Sequence, residues 1–203
     1  MRVLYLGIDP SNYVAEGEIV HYPIIRTVLQ VTWTEELRHS ALQCTHWLFT
    51  SPSAVKHWFS LDGVADVMVG KQIIALGAAT ATALKIHGFH SLVAEIPTQE
   101  GVIATLDTLS LDSAYLGWPH SSKARPLLAG YLAQKKIAWL DIDLYDTLPQ
   151  KIEPLPDVLA FDEIVFTSPS TVDAFCEVFG PIPWDKRIVP IGPITAARLA
   201  EKK

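Results

Sequence analysis

Cysteine is scarce in this 203-residue chain, and its histidines do not cluster. The two cysteines, Cys44 and Cys176, stand far apart in apolar stretches, so we expect free core thiols and no disulfide framework. The seven histidines occur singly and never in the HExxH or HxH spacing of metal sites. The sequence therefore predicts no bound metal.

Basic charge and long apolar runs are lacking too. Sixteen Lys and Arg residues against 22 Asp and Glu residues leave a formal charge of −6, which disfavours binding to nucleic acid. No segment reaches the length of about 18 apolar residues that a membrane span needs, and the N-terminal apolar run is too short for a signal peptide. We therefore expect a cytoplasmic protein with no nucleic-acid or membrane partner.

Nucleotide-binding loops and hydrolase motifs are also missing. The sequence contains neither GxGxxG nor GxxxxGK[ST], and its serines do not stand in GxSxG elbows. Asp141, Asp143 and Asp146 alternate along one stretch, which is typical of a solvated face and not of a glycosidase carboxylate pair. These absences exclude dinucleotide, nucleoside triphosphate and hydrolase functions, and they predict no cofactor.

What the chain does contain is an internal repeat. The stretch LFTSPSAV at residues 48–55 returns as VFTSPSTV at residues 165–172. A second stretch, IIALGAATATAL at residues 73–84, returns as IVPIGPITAARL at residues 188–199. Because both stretches return in the same order, the sequence predicts two similar lobes.

Each repeated stretch predicts a buried strand that runs into a helix. A short apolar run is followed by Ser or Gly and then by apolar residues at helical spacing. Ser51 and Ser168 suit the N-cap position, and the proline after each suits the first helical turn. Gly77 and Gly192 stand where a strand turns sharply into its helix, a place that tolerates little side chain.

Between the repeats, the sequence predicts further elements of the same kind. A third strand–helix unit is expected from a strand at 114–118, a polar turn at 119–123 and a helix from 125 to 132. The other expected elements are strands at 92–96 and 137–145 and a short helix at 101–109.

The number of units predicts an α/β protein with two parallel-sheet lobes of flavodoxin- or Rossmann-like type. Residues 31–143 hold enough units for a complete lobe. Residues 150–203 hold only two, too few for a sheet of their own, so we expect residues 1–23 to complete a discontinuous lobe. Residues 24–30 and 144–149 would then form a two-stranded linker.

The repeat also predicts the position and chemistry of a site. Ligands of open parallel sheets lie beyond the carboxyl ends of the strands, where helix N-termini offer unpaired N–H groups and a positive dipole end. Ser and Thr hydroxyls add donors, so two facing lobes suit carboxylates or phosphates without many basic side chains. Each motif alone is equally typical of an ordinary helix start, and its presence in both lobes favours an anion site.

The order of the motifs resembles the uroporphyrinogen-III synthase family. Thr-Ser-Pro is followed by Gly-x-x-Thr-Ala, a strand that ends in Tyr-x-Thr, a second Thr-Ser-Pro, and Ile-Gly-Pro-Ile-Thr-Ala at residues 191–196. The loop at 97–101 and the stretch at 144–147 add support, so the resemblance spans almost the whole chain. It implies two α/β lobes, one built from both chain ends, and a cofactor-independent cytoplasmic lyase of porphyrin and heme biosynthesis.

The resemblance also implies the reaction and its residues. The family closes hydroxymethylbilane, a linear tetrapyrrole with eight carboxylates, into uroporphyrinogen III, with ring D inverted and water lost. Tyr145 is the catalytic candidate that the resemblance implies, as an acid for the departing hydroxyl, although a tyrosine that packs the linker is an equal alternative. The implied substrate-binding residues are Thr50, Ser51, Gly77, Thr80, Arg125, Ser168, Gly192, Ile194 and Thr195.

Two other functions stay open at this stage. A pair of hinged lobes also suits a binding protein that closes on an anionic metabolite and does no chemistry. An inactive, truncated relative is the other alternative, because the sequence stops at Lys203 where the family usually continues with another strand and helix. We expect a monomer with a small-molecule substrate, and the resemblance leaves room for a transient contact with the preceding pathway enzyme.

Overall fold

The computed structural model describes residues 1–11 and 13–203. The strands are β1 (Arg2–Tyr5), β2 (Glu18–His21), β3 (Ile25–Leu29), β4 (His46–Phe49), β5 (Gln72–Ala75), β6 (Leu92–Val93), β7 (Tyr115–Ser121), β8 (Ala138–Pro149), β9 (Glu163–Phe166) and β10 (Arg187–Pro190). The α-helices are α1 (Glu35–Gln43), α2 (Pro52–Trp58), α3 (Ala78–Ile86), α4 (Gln99–Leu106), α5 (Leu127–Lys135), α6 (Pro169–Val178) and α7 (Pro193–Ala200). The expected α/β class with parallel sheets is confirmed.

The chain divides into two compact units. The terminal unit comprises residues 1–28 and 147–203, and the central unit comprises residues 29–146. The chain passes from one unit to the other within β3 and again within β8, and these two strands are neighbours in one sheet. The side-chain amide of Gln150 donates to the carbonyl oxygens of Pro23 (2.6 Å) and Ile25 (3.2 Å), which ties the end of β8 to the segment around β3.

The terminal unit is a four-stranded parallel sheet in the order β10-β9-β1-β2. β1 pairs with β9 through Leu4 and Ile164, so the N-terminal strand lies inside the sheet. One face packs against α6 and α7 through buried residues that include Phe166, Phe175 and Leu199. The opposite face forms a smaller apolar cluster around Tyr5, and none of the described helices takes part in it.

The second sheet has six strands in the order β3-β8-β7-β4-β5-β6, and the five strands from β8 to β6, which carry the central unit, run parallel. Alternating residues of β4 face opposite cores, as the two-residue period of a strand requires. Trp47 and Phe49 pack with α1, α2 and α3, whereas Leu48 packs with α4 and α5. Helices thus cover both faces of this sheet, which explains its near-continuous apolar strands.

Strand β7 corrects the sequence prediction of a polar turn at 119–123. The strand continues through Pro119, which lies opposite Ile142 of β8. β4 pairs with β7 only at Leu116 and Gly117, so beyond Gly117 the strand is bonded on one side only. A proline is tolerated there because no ladder bond on the open side needs its missing N–H.

Three other expected elements differ in their limits. β6 spans only Leu92–Val93, α4 covers Gln99–Leu106, and α5 begins at Leu127, after Pro126, and not at residue 125. Of the expected linker strands, β3 covers only Ile25–Leu29, whereas the other is the end of β8, which is continuous from Ala138 to Pro149. In the part of the chain that the structure describes, no helix is long and apolar enough to cross a membrane.

Candidate active site

Ser51 stands between β4 and α2, at the carboxyl edge of the central sheet. Its backbone is extended, and its Oγ accepts a hydrogen bond of 3.0 Å from the N–H of Ala54, the third residue of the helix. Pro52 fills the first helical position, where a missing N–H costs nothing. The sequence TSP therefore makes a capped helix start directly after a buried strand, with Thr50 half-buried beside it.

Tyr145 of β8 meets Ser51. Its Oη lies 2.8 Å from Ser51 Oγ, and either oxygen can be the donor in that geometry. The side chain is only 5% exposed. Burial raises the pKa of Tyr145, and the hydrogen bond with Ser51 partly offsets that rise. The phenol is therefore protonated at neutral pH, and the two hydroxyls form one hydrogen-bonded pair.

His57 is a neighbour of this pair that the sequence prediction missed. Its ring stacks on the ring of Tyr145, with centroids 5.1 Å apart and planes 22° from parallel. Burial, and then the charge of Lys56, lower the pKa of His57. The internal repeat could have indicated His57, because the two copies differ at this position. The residue that corresponds to His57 in the second copy is Ala174.

Gly77 and Gly192 are N-caps of α3 and α7, as the sequence predicted for helix starts. Neither helix has a side-chain cap, so the first N–H groups of both helices keep no intrahelical partner and no capping side chain. The reasons for glycine differ. A Cβ on Gly77 would lie 2.9 Å from the Cβ of Pro97, whereas Gly192 has open space around it but a φ of +86°. The sequence predicts too little space for a side chain at both glycines. At Gly192 that prediction is wrong, and the left-handed backbone is the reason for glycine.

Thr80 and Thr195 occupy equivalent positions after these glycines, and both are 2% exposed. The Oγ1 of Thr195 donates to the carbonyl oxygen of Ile191 at 3.1 Å. That bond stays within the turn that starts the helix, as Ser and Thr often bond in helices. The groups best placed to meet a ligand at this helix start are therefore backbone N–H groups, including that of Ile194.

Ser168 repeats the position of Ser51 in the terminal unit. Its Oγ accepts from the N–H of Thr171 at 3.3 Å, and the Oγ1 of Thr171 accepts from the N–H of Ser168 at 3.2 Å. This reciprocal pair is a capping box with Thr at the position that Glu or Gln usually takes. Ser168 has no tyrosine partner among the described residues, so the two copies of the motif differ chemically.

Arg125 does not stand free at a helix start. It lies before Pro126, the N-cap of α5, and its two terminal nitrogens bond the two carboxylate oxygens of Glu100 at 2.8 and 2.9 Å. This bidentate contact lowers the pKa of Glu100 to about 2. A ligand carboxylate at Arg125 would have to share or replace Glu100.

The structure thus brings Ser51 and Tyr145 into contact, and it places the remaining candidates at strand–helix turns of their own units. In the central unit, the turns after β4 and β5 end neighbouring strands; in the terminal unit, the same holds for β9 and β10. In residues 1–11 and 13–203, no three His, Cys, Asp or Glu side chains are grouped to hold a metal ion.

Residues 14–203 match the family model described as Uroporphyrinogen-III synthase HemD. The chain belongs to the uroporphyrinogen-III synthase family. No curated protein matches it significantly. The resemblance drawn from the motif order is therefore confirmed, and the family's activity is a lyase reaction of tetrapyrrole synthesis.

Solved structures of uroporphyrinogen-III synthases share the fold. The enzyme from Helicobacter pylori has a TM-score of 0.70 at 18% identity, covering 99% of this chain and 89% of its own. A mutant enzyme from the extremely thermophilic bacterium Thermus thermophilus has a TM-score of 0.63 at 21% identity, covering 98% and 88%. At these identities, the likeness shows a common fold.

Proposed function

We propose that this chain cyclises hydroxymethylbilane to uroporphyrinogen III, with inversion of ring D and loss of water. The observation that carries the proposal is the family match across residues 14–203, which includes every residue of the candidate site. Both Thr-Ser-Pro turns and both Gly-x-x-Thr-Ala turns lie within that match. A protein that only binds an anionic metabolite has no comparable observation in its favour.

The candidate site suits a substrate that carries many carboxylates. Each unit offers a helix start with glycine at the N-cap and with N–H groups that no side chain caps, at α3 and at α7. Such groups bind anions through hydrogen bonds and the positive end of the helix dipole. We assign the substrate carboxylates to the turns around Thr50, Ser51, Gly77, Thr80, Arg125, Ser168, Gly192, Ile194 and Thr195. This explains how a chain of net charge −6 can bind a polyanion.

The main task of the protein in this reaction is to position the reacting atoms of the substrate. A pyrrole nitrogen lone pair expels the terminal hydroxyl and leaves an azafulvene cation. The free chain then closes head to tail, whereas inversion requires attack by the substituted carbon of ring D through a spiro-pyrrolenine. Holding reacting atoms in such an arrangement can lower a barrier by about 7 kcal/mol or more. The hydroxyl pair of Tyr145 and Ser51 supplies the acid for the leaving hydroxyl.

The decisive experiment measures which isomer forms. Hydroxymethylbilane is generated fresh and incubated with the protein, with heat-unfolded protein, or with buffer, and the products are oxidised and separated by chromatography. Excess isomer III with the folded protein alone supports the proposal. Isomer I at the spontaneous rate in all three samples would overturn it in favour of a binding protein or an inactive relative.

We propose, further, that the protein works as a cytoplasmic monomer that receives its unstable substrate from the preceding pathway enzyme through a transient contact. Sedimentation at several concentrations tests the oligomeric state. A dimer that persists at nanomolar concentration would contradict this part of the proposal.

A further inference from the structure

The hydroxyl of Ser51 has more hydrogen-bond neighbours than a helix cap needs. Its oxygen accepts from the N–H of Ala54 at 3.0 Å, and it lies 2.8 Å from the phenol oxygen of Tyr145. A serine hydroxyl has one proton and two acceptor lone pairs. One lone pair serves the helix cap, so the bond to Tyr145 uses either the remaining lone pair or the proton.

Burial decides between these two arrangements. Tyr145 is 5% exposed, and Ser51 Oγ lies 2.8 Å from its Oη. A buried donor without a partner destabilises the fold, so the phenol proton is directed to Ser51. Ser51 itself is only half-buried, so its own proton can meet solvent or a ligand. The phenol is also the stronger acid of the two hydroxyls, which favours it as the donor.

We infer that Ser51 presents the proton to the departing hydroxyl of the substrate, and that Tyr145 acts through Ser51. This inference rests on the proposed function. An oxygen that accepts two hydrogen bonds becomes a better donor through its own proton, because successive bonds polarise one another. The stacked ring of His57 holds the phenol in place. Ser51 is then a catalytic residue, and Tyr145 is a positioning residue that also makes Ser51 more acidic.

The proton movements balance across the reaction. The Ser51 proton moves to the hydroxyl oxygen as the carbon–oxygen bond breaks, and that bond's electron pair leaves with the oxygen as water. The pyrrole nitrogen lone pair forms the new double bond of the azafulvene. Ser51 takes the Tyr145 proton, and the proton that the substrate releases when its pyrrole ring becomes aromatic again restores the phenol.

The kinetic test uses Ser51→Ala, Tyr145→Phe and the double variant. We expect Ser51→Ala to reduce kcat for isomer III by about a hundredfold, the lower end of the range for general acids. Tyr145→Phe should reduce it less, and the double variant should match Ser51→Ala, because Tyr145 acts only through Ser51. In all three, the loss in kcat should exceed any rise in KM. A larger loss in Tyr145→Phe, or losses that multiply in the double variant, would overturn the assignment.

Two further variants separate chemistry from folding. Ser51→Thr keeps both the helix cap and a hydroxyl, so it should restore most of the kcat that Ser51→Ala loses. Thr34 caps α1 in the same unit through a bond from the Leu37 N–H, and it has no part in the candidate site. Thr34→Ala therefore removes a comparable cap and should keep full kcat. An equal loss of kcat in Thr34→Ala would assign the Ser51 effect to the lost cap and overturn the inference.

A structural measurement tests the inference without using activity. Neutron diffraction from crystals of the deuterated wild-type protein shows which oxygen carries the shared deuteron. A deuteron on Tyr145 Oη directed at Ser51 Oγ supports the inference, and one on Ser51 Oγ directed at Tyr145 Oη overturns it. If the first arrangement is seen but no isomer III is formed, the proposed function fails while the hydrogen-bond direction stands.

Discussion

At the scale of single residues, several side chains that a motif marks as ligand donors already have partners within the protein. Ser51 bonds Ala54 and Tyr145, Thr195 bonds Ile191, and Arg125 bonds Glu100. A substrate carboxylate gains from such a group only what exceeds the bond it replaces. Backbone N–H groups at uncapped helix starts require no such exchange, so we expect them to provide more of the binding energy than the hydroxyls.

Arg125 allows a direct test of this exchange. Glu100 is ionised at neutral pH, since its pKa is about 2, and it competes with a substrate carboxylate for the guanidinium. Glu100→Gln should therefore lower KM for hydroxymethylbilane about twofold to fivefold, the size of an exposed ion pair, and Arg125→Gln should raise KM. Steady-state kinetics measures both.

The control for this prediction is Asp107→Asn. It removes another exposed acid of the central unit, one that pairs with Lys135, and should leave KM unchanged. Unchanged KM values in both Glu100→Gln and Arg125→Gln would remove Arg125 from the binding site.

Cys44 is a second residue with a measurable consequence. It is fully buried, and burial raises the pKa of its thiol to about 12, so almost no thiolate exists at pH 8. Native protein treated with iodoacetamide at pH 8 should be alkylated at the partly exposed Cys176 before Cys44, as peptide mass spectrometry would show. Denaturant should make both cysteines reactive. Rapid alkylation of Cys44 in the native state would contradict its burial.

At the scale of elements, two glycines show how backbone conformation, without any packing clash, decides whether Gly→Ala stabilises or destabilises the fold. Gly192 has a φ of +86° and Gly130 lies within α5, and neither has an atom within 4 Å of an added Cβ. Gly192→Ala should therefore destabilise the protein by about 1–2 kcal/mol through left-handed strain alone. Gly130→Ala should stabilise it by about 0.4–1 kcal/mol by reducing the entropy of the unfolded chain. Urea unfolding of the two variants beside wild type measures both, and shifts in the same direction would refute the argument.

The strand–helix units were predictable from sequence because their signals are local. Ser51, Ser168 and the prolines after them mark helix starts within a few residues. The passage of β7 through Pro119 was not predictable in this way, because it depends on where β4 stops pairing. The bond between Ser51 and Tyr145 joins residues 94 positions apart, so only the folded sheet reveals that the two hydroxyls form a pair.

At the scale of the whole molecule, the terminal unit depends on both ends of the chain. β1 pairs with β9 on one side and β2 on the other, so residues 1–28 provide half of its four strands. The C-terminal strand–helix units alone would leave an edge of unpaired backbone where β1 now lies. The turn at 192–195, which we propose as an anion site, therefore lies in a sheet that depends on an N-terminal strand distant in sequence.

Each unit has an uncapped helix start, at α3 and at α7, and hydrogen exchange can test each of them as a carboxylate site. Uroporphyrinogen III, added under anaerobic conditions, should slow exchange at the amides that begin α3 and α7 together. At about ten times its Kd, a ligand that binds only the native state slows exchange through the free state about tenfold. No proposed binding residue lies on α1 (Glu35–Gln43), so its amides should exchange as before. Unchanged exchange at the start of either helix would remove that helix start from the proposed carboxylate-binding turns.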